Sequence, residues 1–162
     1  MADQLSVNDM LASSVEPLRQ FRWILSLNGI DAYTALSTER PHYTIGEIAV
    51  PYINTTRYLA GKLIFNEMKI TLWDPIAPSA AQKVQQWVGL NYEILTGRSG
   101  YKDFYTKDFD LKLLDPPGGI AQQWQFKNAW PKDVNFGGLD YKSEEMANVD
   151  LSLRFDSCVL LF

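Results

Sequence analysis

The chain has 162 residues, of which 46% are hydrophobic and 21% are charged, and its formal net charge is −4. This composition predicts one globular domain with a sizeable core and excludes a largely disordered chain. The small acidic excess argues against tight binding of nucleic acid through its phosphates. Cys158 is the single cysteine, which excludes an internal disulfide and a multi-thiolate metal site and, among apolar neighbours, indicates a small core residue.

The first residues, MADQLSVNDM, carry acids where a secretory signal carries basic residues. No apolar run approaches the roughly 20 residues of a membrane-spanning helix. We therefore expect a protein without a membrane anchor that is made and kept in a cytosol.

The first third of the chain predicts an arm followed by a hairpin. Residues 1–20 are expected to form an N-terminal arm, because Pro17 would break the short amphipathic helix that their apolar pattern otherwise allows. A strand is predicted over 21–29. It ends at Asn28-Gly29, a dipeptide that tolerates positive φ in tight turns, so residues 33–37 are expected to continue a hairpin.

An extended segment over 42–53 is predicted to run into a protruding loop over about 51–61, since Gly46, Pro51 and polar residues disfavour a continuous strand. The segment KLIFNEMKITLW at 62–73 then predicts a strand with one apolar and one polar face. Its apolar face contains Ile64, Met68, Ile70 and Leu72, and its polar face contains Glu67, Lys69 and Thr71.

One helix is predicted in the middle of the chain. Ser79 with Gln82 fits a capping box, and apolar residues recur at helical spacing until Gly97. Beyond it, apolar and charged residues alternate over 108–113, and DPPGG at 115–119 predicts a sharp turn. These patterns indicate a β-rich domain that carries one packed helix.

The final third predicts two alternating strands, over 121–129 and 148–156, on either side of a turn at Trp130-Pro131. Each strand has one apolar and one polar face. The tryptophans fall on the apolar faces, which favours a place in the core over stacking on nucleic acid bases.

Nothing in the chain combines into catalytic chemistry. His42 is the single histidine, and no nucleophile elbow accompanies it. Paired carboxylates, a calcium-binding loop and a phosphate-binding loop are all missing at the required spacings. We expect neither an enzyme nor a cofactor or metal site.

Three segments resemble the tail tube protein of contractile-tailed, T4-like bacteriophages: a loop followed by KLIFNEMKITLWD, the helix AAQKVQQWVGLNYEILTG, and WPKDVNFGGLDY before VDLSLRFD. The resemblance covers most of the chain, from about Phe21 to Phe162. It implies a mainly β fold, a β-sandwich or barrel of two packed antiparallel sheets with a flanking helix, over a single domain of residues 1–162.

The resemblance also implies a function. Such proteins form hexameric rings that stack into the inner tail tube, inside a sheath and between baseplate and terminator proteins. Tape measure protein and DNA pass through the lumen without specific binding. The protein would then belong to a virion that is assembled in the host cytoplasm.

Two sets of residues are expected to act in assembly. The polar strand faces are expected to line the lumen through Glu67, Lys69, Gln123, Gln125, Asp150 and Asp156. The loop over about 51–61 is expected to stack one ring on the next through Tyr52, Ile53, Asn54, Arg57 and Tyr58.

Two alternatives stay open. The protein is a tube subunit of a phage-derived injection machine, either pyocin-like or a type VI secretion system, which shares the fold and moves protein cargo. A small β-barrel that binds a ligand is the other alternative, and it would be monomeric.

Overall fold

A computed structural model describes residues 15–162, so residues 1–14 of the expected arm lie outside the described part. The described chain is mainly β, which confirms the predicted fold class. Its strands are β1 (Trp23–Leu27), β2 (Ala35–Thr38), β3 (Tyr43–Pro51), β4 (Thr56–Phe65), β5 (Met68–Trp73), β6 (Lys107–Leu114), β7 (Ile120–Asn135), β8 (Asn148–Arg154) and β9 (Ser157–Leu160). Its helices are α1 (Ala80–Asn91), α2 (Lys102–Tyr105) and a 3-10 turn (Ala32–Thr34).

Seven strands form one strongly curved antiparallel sheet that folds over itself. The first half of β7 pairs with β6 and β9, and β6 pairs with β1. The second half of β7 pairs with β8, β8 with β5, and β5 with β2. We call the first group the front sheet and the second group the back sheet. β3 and β4 pair with each other and form a separate two-stranded ribbon.

The inner faces of the front and back sheets share one apolar core, because every second residue of a strand points to the same side. Phe126 lies at its centre and is fully buried. Its ring stacks on Phe109 at 4.4 Å and meets Phe155 edge-on at 5.0 Å. The other buried strand residues include Leu25, Leu27, Leu111, Met68, Ile70, Leu72, Val149, Leu151 and Leu153.

Helix α1 begins as predicted. The backbone N–H of Gln82 donates to the Ser79 hydroxyl at 3.4 Å, and Trp87 is buried in the core. The helix ends at Asn91 rather than near Gly97. The chain turns back there, and Tyr92 forms a β-bridge with Ser99. The later apolar residues that extended the helical pattern are exposed.

The predicted turn at Trp130-Pro131 is wrong. Both residues lie inside β7, which continues through them for 16 residues. The strand changes sheets at this point, where Asn128 has a φ of 54° and the pairing register shifts after Pro131. Proline is tolerated because β7 is an edge strand of the back sheet, where its missing N–H breaks no pairing.

The predicted hairpin after β1 is also wrong. β1 pairs with β6 in the front sheet, whereas β2 pairs with β5 in the back sheet. The 3-10 turn carries the chain between them, and buried Thr34 fixes it by donating from its hydroxyl to the Asp31 carbonyl at 2.7 Å. Lys83 of α1 pairs with the Asp31 carboxylate at 2.5 Å. The tight turn at Asn28-Gly29 does form, since the Ile30 N–H donates to the Leu27 carbonyl at 3.1 Å and Gly29 has a φ of 90°, but tertiary contacts prevent its continuation as a hairpin.

The segment predicted as a loop over about 51–61 is mostly strand. Only residues 52–55 form the turn, closed by the Tyr52 N–H donating to the Thr55 carbonyl at 2.7 Å. Gly46 and Gly61 allow a close approach of β3 and β4, since a Cβ on Gly61 would lie 3.1 Å from the Gly46 carbonyl. The strand predicted over 62–73 is interrupted at residues 66–67, which separate the ribbon from β5.

Candidate assembly surfaces

The ribbon of β3 and β4 exposes large apolar side chains on both of its faces. A two-stranded ribbon is marginally stable in water by itself, and exposed apolar side chains in such numbers indicate a surface that another molecule covers. The exposed apolar residues are Tyr43, Ile45, Ile48, Tyr58, Leu59, Leu63 and Ile64.

The structure brings the expected stacking residues together at the ribbon tip. Tyr52, Ile53 and Asn54 lie in its turn, and Arg57 and Tyr58 lie at the start of β4. The Arg57 guanidinium lies 5.6 Å from the centre of the Tyr52 ring. Ile53 is 99% exposed. The tip therefore presents an apolar side chain with nothing around it, and its role in stacking remains a prediction.

The outer face of the front sheet is polar on its two central strands, β6 and β7, and carries exposed Ile24 and Val159 on its edge strands. Gln123 and Gln125 lie on it beside Asp110, because β6 and β7 pair Asp110 with Gln125 and Lys112 with Gln123. The Gln123 amide donates to Asp110 at 3.3 Å. Two acidic residues, Asp108 and Asp110, and two basic residues, Lys112 and Lys127, share this face, so their formal charges cancel.

Of the two carboxylates on that face, Asp108 accepts more hydrogen bonds. It accepts from the Asn128 backbone N–H at 2.9 Å and from Lys127 at 3.1 Å. The backbone hydrogen bond first, and Lys127 second, hold the pKa of Asp108 below its usual value. The carboxylate therefore stays charged and paired at neutral pH.

The six residues expected to line a lumen do not share one surface. Lys69 and Asp150 lie on the outer face of the back sheet, where Asp150 accepts from the Thr71 hydroxyl at 2.9 Å. Gln123 and Gln125 lie on the opposite outer face. A single wall containing all of these residues is excluded, because the apolar core lies between the two sheets.

Glu67 and Asp156 lie in connections rather than on strand faces. Glu67 falls between β4 and β5 and pairs with Lys132, which lowers the pKa of its carboxyl. Asp156 falls between β8 and β9, accepts from Lys102 at 2.6 Å and from the Asn128 amide at 3.0 Å. The Lys102 hydrogen bond is the main cause of the lowered pKa of Asp156.

Sequence reasoning missed the charged residues of β6 as members of the front-sheet face. Their alternation with Phe109 and Leu111 was visible, but the pairing of β6 with β7 was needed to place them beside Gln123 and Gln125. The missed residues are Asp108, Asp110 and Lys112.

The remaining features of the described chain concern a metal site, a membrane-spanning helix and a reactive thiol. Over residues 15–162 no group of three or more His, Cys, Asp or Glu side chains is arranged to hold a metal ion. No helix in the same part of the chain is long and apolar enough to cross a membrane. Burial raises the pKa of the Cys158 thiol to about 11, which disfavours the reactive thiolate.

Comparison with known proteins identifies the fold. No family model matches the sequence, and no curated protein matches it. Solved structures do match. A chain from the extracellular contractile injection system PVC, in its sheath/tube terminator in the extended state, has a TM-score of 0.74 and 15% identity and covers 92% of this chain and 99% of its own.

Two chains from the anti-feeding prophage are also similar. One comes from its six-fold symmetrised baseplate, with a TM-score of 0.70, 16% identity and coverage of 91% of this chain and 97% of that one. Another comes from its tube-terminating cap, with a TM-score of 0.69, 19% identity and coverage of 98% and 95%. The resemblance to tail tube proteins is thus confirmed at the level of the fold.

Proposed function

We propose that this protein is a structural subunit of the tube in a phage-type contractile tail, assembled as hexameric rings that stack into a conduit. The observation that carries the proposal is the extent of the structural likeness. It spans 92% of this chain and 99% of a chain from a sheath/tube terminator assembly, so the whole domain, rather than a common motif, shares the fold of that chain.

The topology of the front sheet supports ring closure. Within the described chain, β1 and β9 are its two edges, and each pairs on one side. The four strands alternate in direction, so β1 and β9 run in opposite directions. Placing β9 of one subunit beside β1 of the next would continue an antiparallel sheet around a ring. Closure of this kind removes exposed edges that would otherwise aggregate.

In this arrangement the polar outer face of the front sheet forms the lumen wall, with Gln123 and Gln125 on it. A wall whose charges cancel releases few counterions from a phosphate backbone, so it holds DNA weakly and lets it pass. Lys69 and Asp150 then lie on the outside, on the side of the sheath. Of the six residues expected to line the lumen, only Gln123 and Gln125 lie on the front-sheet face and are proposed to line it.

The ribbon serves in stacking. Its exposed apolar faces and the Ile53 side chain at its tip can pack against a subunit of the neighbouring ring. The other partners in this proposal are the sheath, baseplate and terminator proteins. Tape measure protein and DNA pass through the lumen, and assembly takes place in the host cytoplasm.

A second candidate is a tube or terminator subunit of an injection system without a genome. The similar chains from PVC and the anti-feeding prophage favour it. Both candidates require the same rings, and they differ in the cargo.

Electron microscopy and sedimentation of the purified protein over a range of concentrations test the shared proposal. We expect rings or short tubes with a central channel as concentration rises. A protein that stays monomeric at high concentration, with sheath and baseplate proteins present, would contradict it. Copurification of DNA-filled particles from a producing culture then separates the phage tail from the injection system.

A further inference from the structure

An open groove separates the front and back sheets beside β1 and β2. It contains a cavity of about 460 Å³ that has polar and charged residues of 19–20 and 37–40 on its rim and an apolar lining of Leu18, Trp23, Leu36, Leu111 and Leu113. A second cavity of about 770 Å³ adjoins it and shares Trp23 and Leu36 in its lining. The groove thus opens from the surface toward the core at the edge of the sandwich.

Apolar side chains also project at the mouth of this groove. Phe21 is 74% exposed, and Ile24 and Leu36 are each 42% exposed. In the part of the chain that the structure describes, Phe21 is mostly uncovered, and Ile24 and Leu36 are partly covered. A cluster of this kind beside two unpaired strand edges indicates an interface rather than a solvated surface.

The opposite edge of the same front sheet carries a matching apolar projection. Beyond β9 the chain continues to pair with β7, since the Leu161 N–H donates to the Gln123 carbonyl at 2.8 Å and the Gln123 N–H donates to the Phe162 carbonyl at 3.1 Å. Leu160 is 44% exposed and Phe162 is 59% exposed. Strand alternation places Leu160 on the side of Cys158, which packs against the core, and Phe162 follows just beyond the end of β9.

We propose that Leu160 and Phe162 of one subunit insert into the groove between β1 and β2 of the next copy of this chain. This inference rests on the proposed ring. Because β1 and β9 run in opposite directions, antiparallel continuation brings the inner-face residues of β9 beside Trp23 on the inner face of β1. The two apolar side chains then fill the open end of the neighbour's sandwich and seal its core.

The contact is heterologous, since a projection on one edge meets a groove on the other. Such a contact closes into a ring when its rotation permits. An aromatic side chain that is inserted in a desolvated pocket is the type of residue that dominates interface energies. Phe162 is therefore the anchor of the subunit contact.

A pair of cysteines tests the contact directly. In a Cys158→Ser background carrying both Leu36→Cys and Phe162→Cys, oxidation of assembled rings should join neighbouring subunits into a ladder of covalent multimers. Mixing the two single variants should stop at covalent dimers. The matched control is Leu95→Cys with Phe162→Cys, since Leu95 is 95% exposed in the turn after α1 and should give no ladder. A ladder in the control or none in the test pair overturns the proposal.

Truncation of the anchor gives an independent measurement. Phe162→Ala should raise the concentration needed for half-assembly at least about tenfold, with an unchanged circular dichroism spectrum. Leu36→Glu should do the same from the groove side. Leu161→Ala, on the other face of the same edge, is the matched control and should change that concentration much less.

The outcomes separate this inference from the proposed function. If the wild-type protein forms rings and Phe162→Ala forms them equally well, the groove contact is wrong and the tube proposal stands. If deleting residues 1–14 weakens assembly while Phe162→Ala does not, that segment occupies the groove instead, and the contact is again overturned. If the wild-type protein never assembles, the tube proposal fails and the contact fails with it.

Discussion

The Lys102 ammonium lies 2.6 Å from the Asp156 carboxylate and fastens the short helix α2 to the connection between β8 and β9. Asp156 also accepts from the Asn128 amide at 3.0 Å, at the position where β7 changes sheets. One carboxylate thus links three separate segments of the chain. We therefore expect substitution of Asp156 to lower the stability of the fold rather than to change the surface of a channel.

We predict a pH-dependent loss of stability for Asp156→Asn. The pKa of Asp156 is lowered mainly by Lys102, so its contribution is present above its unfolded pKa of about 3.9 and is lost as pH falls through the folded pKa. The side chains are 52% and 45% exposed, which limits the contribution to about 0.2–1 kcal/mol at neutral pH.

Denaturant unfolding of Asp156→Asn at neutral pH and below pH 3 would measure this difference. Asp133→Asn is the control, because Asp133 makes no ion pair with any residue in the range 15–162. A difference from wild type that persisted unchanged in acid would show that the carboxylate charge is not responsible.

Phe126→Ala should cost about 3–5 kcal/mol of unfolding free energy, because it leaves a cavity where two aromatic contacts meet. Phe126 is 0% exposed. Phe136→Ala, at a side chain that is 45% exposed, should cost within about 0.5 kcal/mol. Urea unfolding of the two variants measures the contrast, and similar losses would contradict the described core.

Gly61→Ala should disturb the ribbon and leave the sandwich intact. The new Cβ would lie 3.1 Å from Gly46 backbone atoms, so β3 and β4 must separate locally. Ring formation should survive while stacking into tubes is impaired, as seen by electron microscopy. Gly89→Ala is the control, because its Cβ meets nothing within 4 Å. Tubes of normal length from Gly61→Ala would argue against stacking through the ribbon.

Labelling of introduced cysteines should identify the lumen wall. In assembled tubes, Gln125→Cys should react with a small maleimide but not with a bulky polymer-linked one, whereas Asp150→Cys should react with both. The bulky reagent is excluded from the lumen because it could enter only through the ends of the tube. Disassembled protein should label at both positions with either reagent. If the bulky reagent labelled Gln125→Cys and Asp150→Cys equally in tubes, the front-sheet face would lie on the outside of the tube.

The alternating patterns of β6, β8 and the first half of β7 made those strands predictable, because burial on one face imposes a period of two residues. The cap at Ser79 located the start of α1 for a similarly local reason. The places where prediction failed depend on distant contacts. No local pattern indicates that β1 and β2 pair in different sheets, since Asp31 is held there by Lys83 from α1.

The assembly surfaces were predictable only in part. Polar strand faces were visible in the sequence, but their division between two opposite surfaces required the pairing of β6 with β7 and of β5 with β8. The tip half of the ribbon, over about 51–61, was predicted as a loop because Gly46, Pro51 and the polar residues that follow disfavour a continuous strand. In the structure Gly46 and Gly61 let the strands approach closely, which is a property of the pair rather than of either position.

The passage of β7 through both sheets has a mechanical consequence. Side-chain packing alone gives no directional bond between the two sheets of a sandwich, because apolar burial is non-directional. Here a single strand of 16 residues is hydrogen-bonded to β6 at one end and to β8 at the other. Displacing one sheet against the other would have to bend β7 or break its hydrogen bonds to β6 or β8, so a force on one sheet is transmitted to the other along this strand.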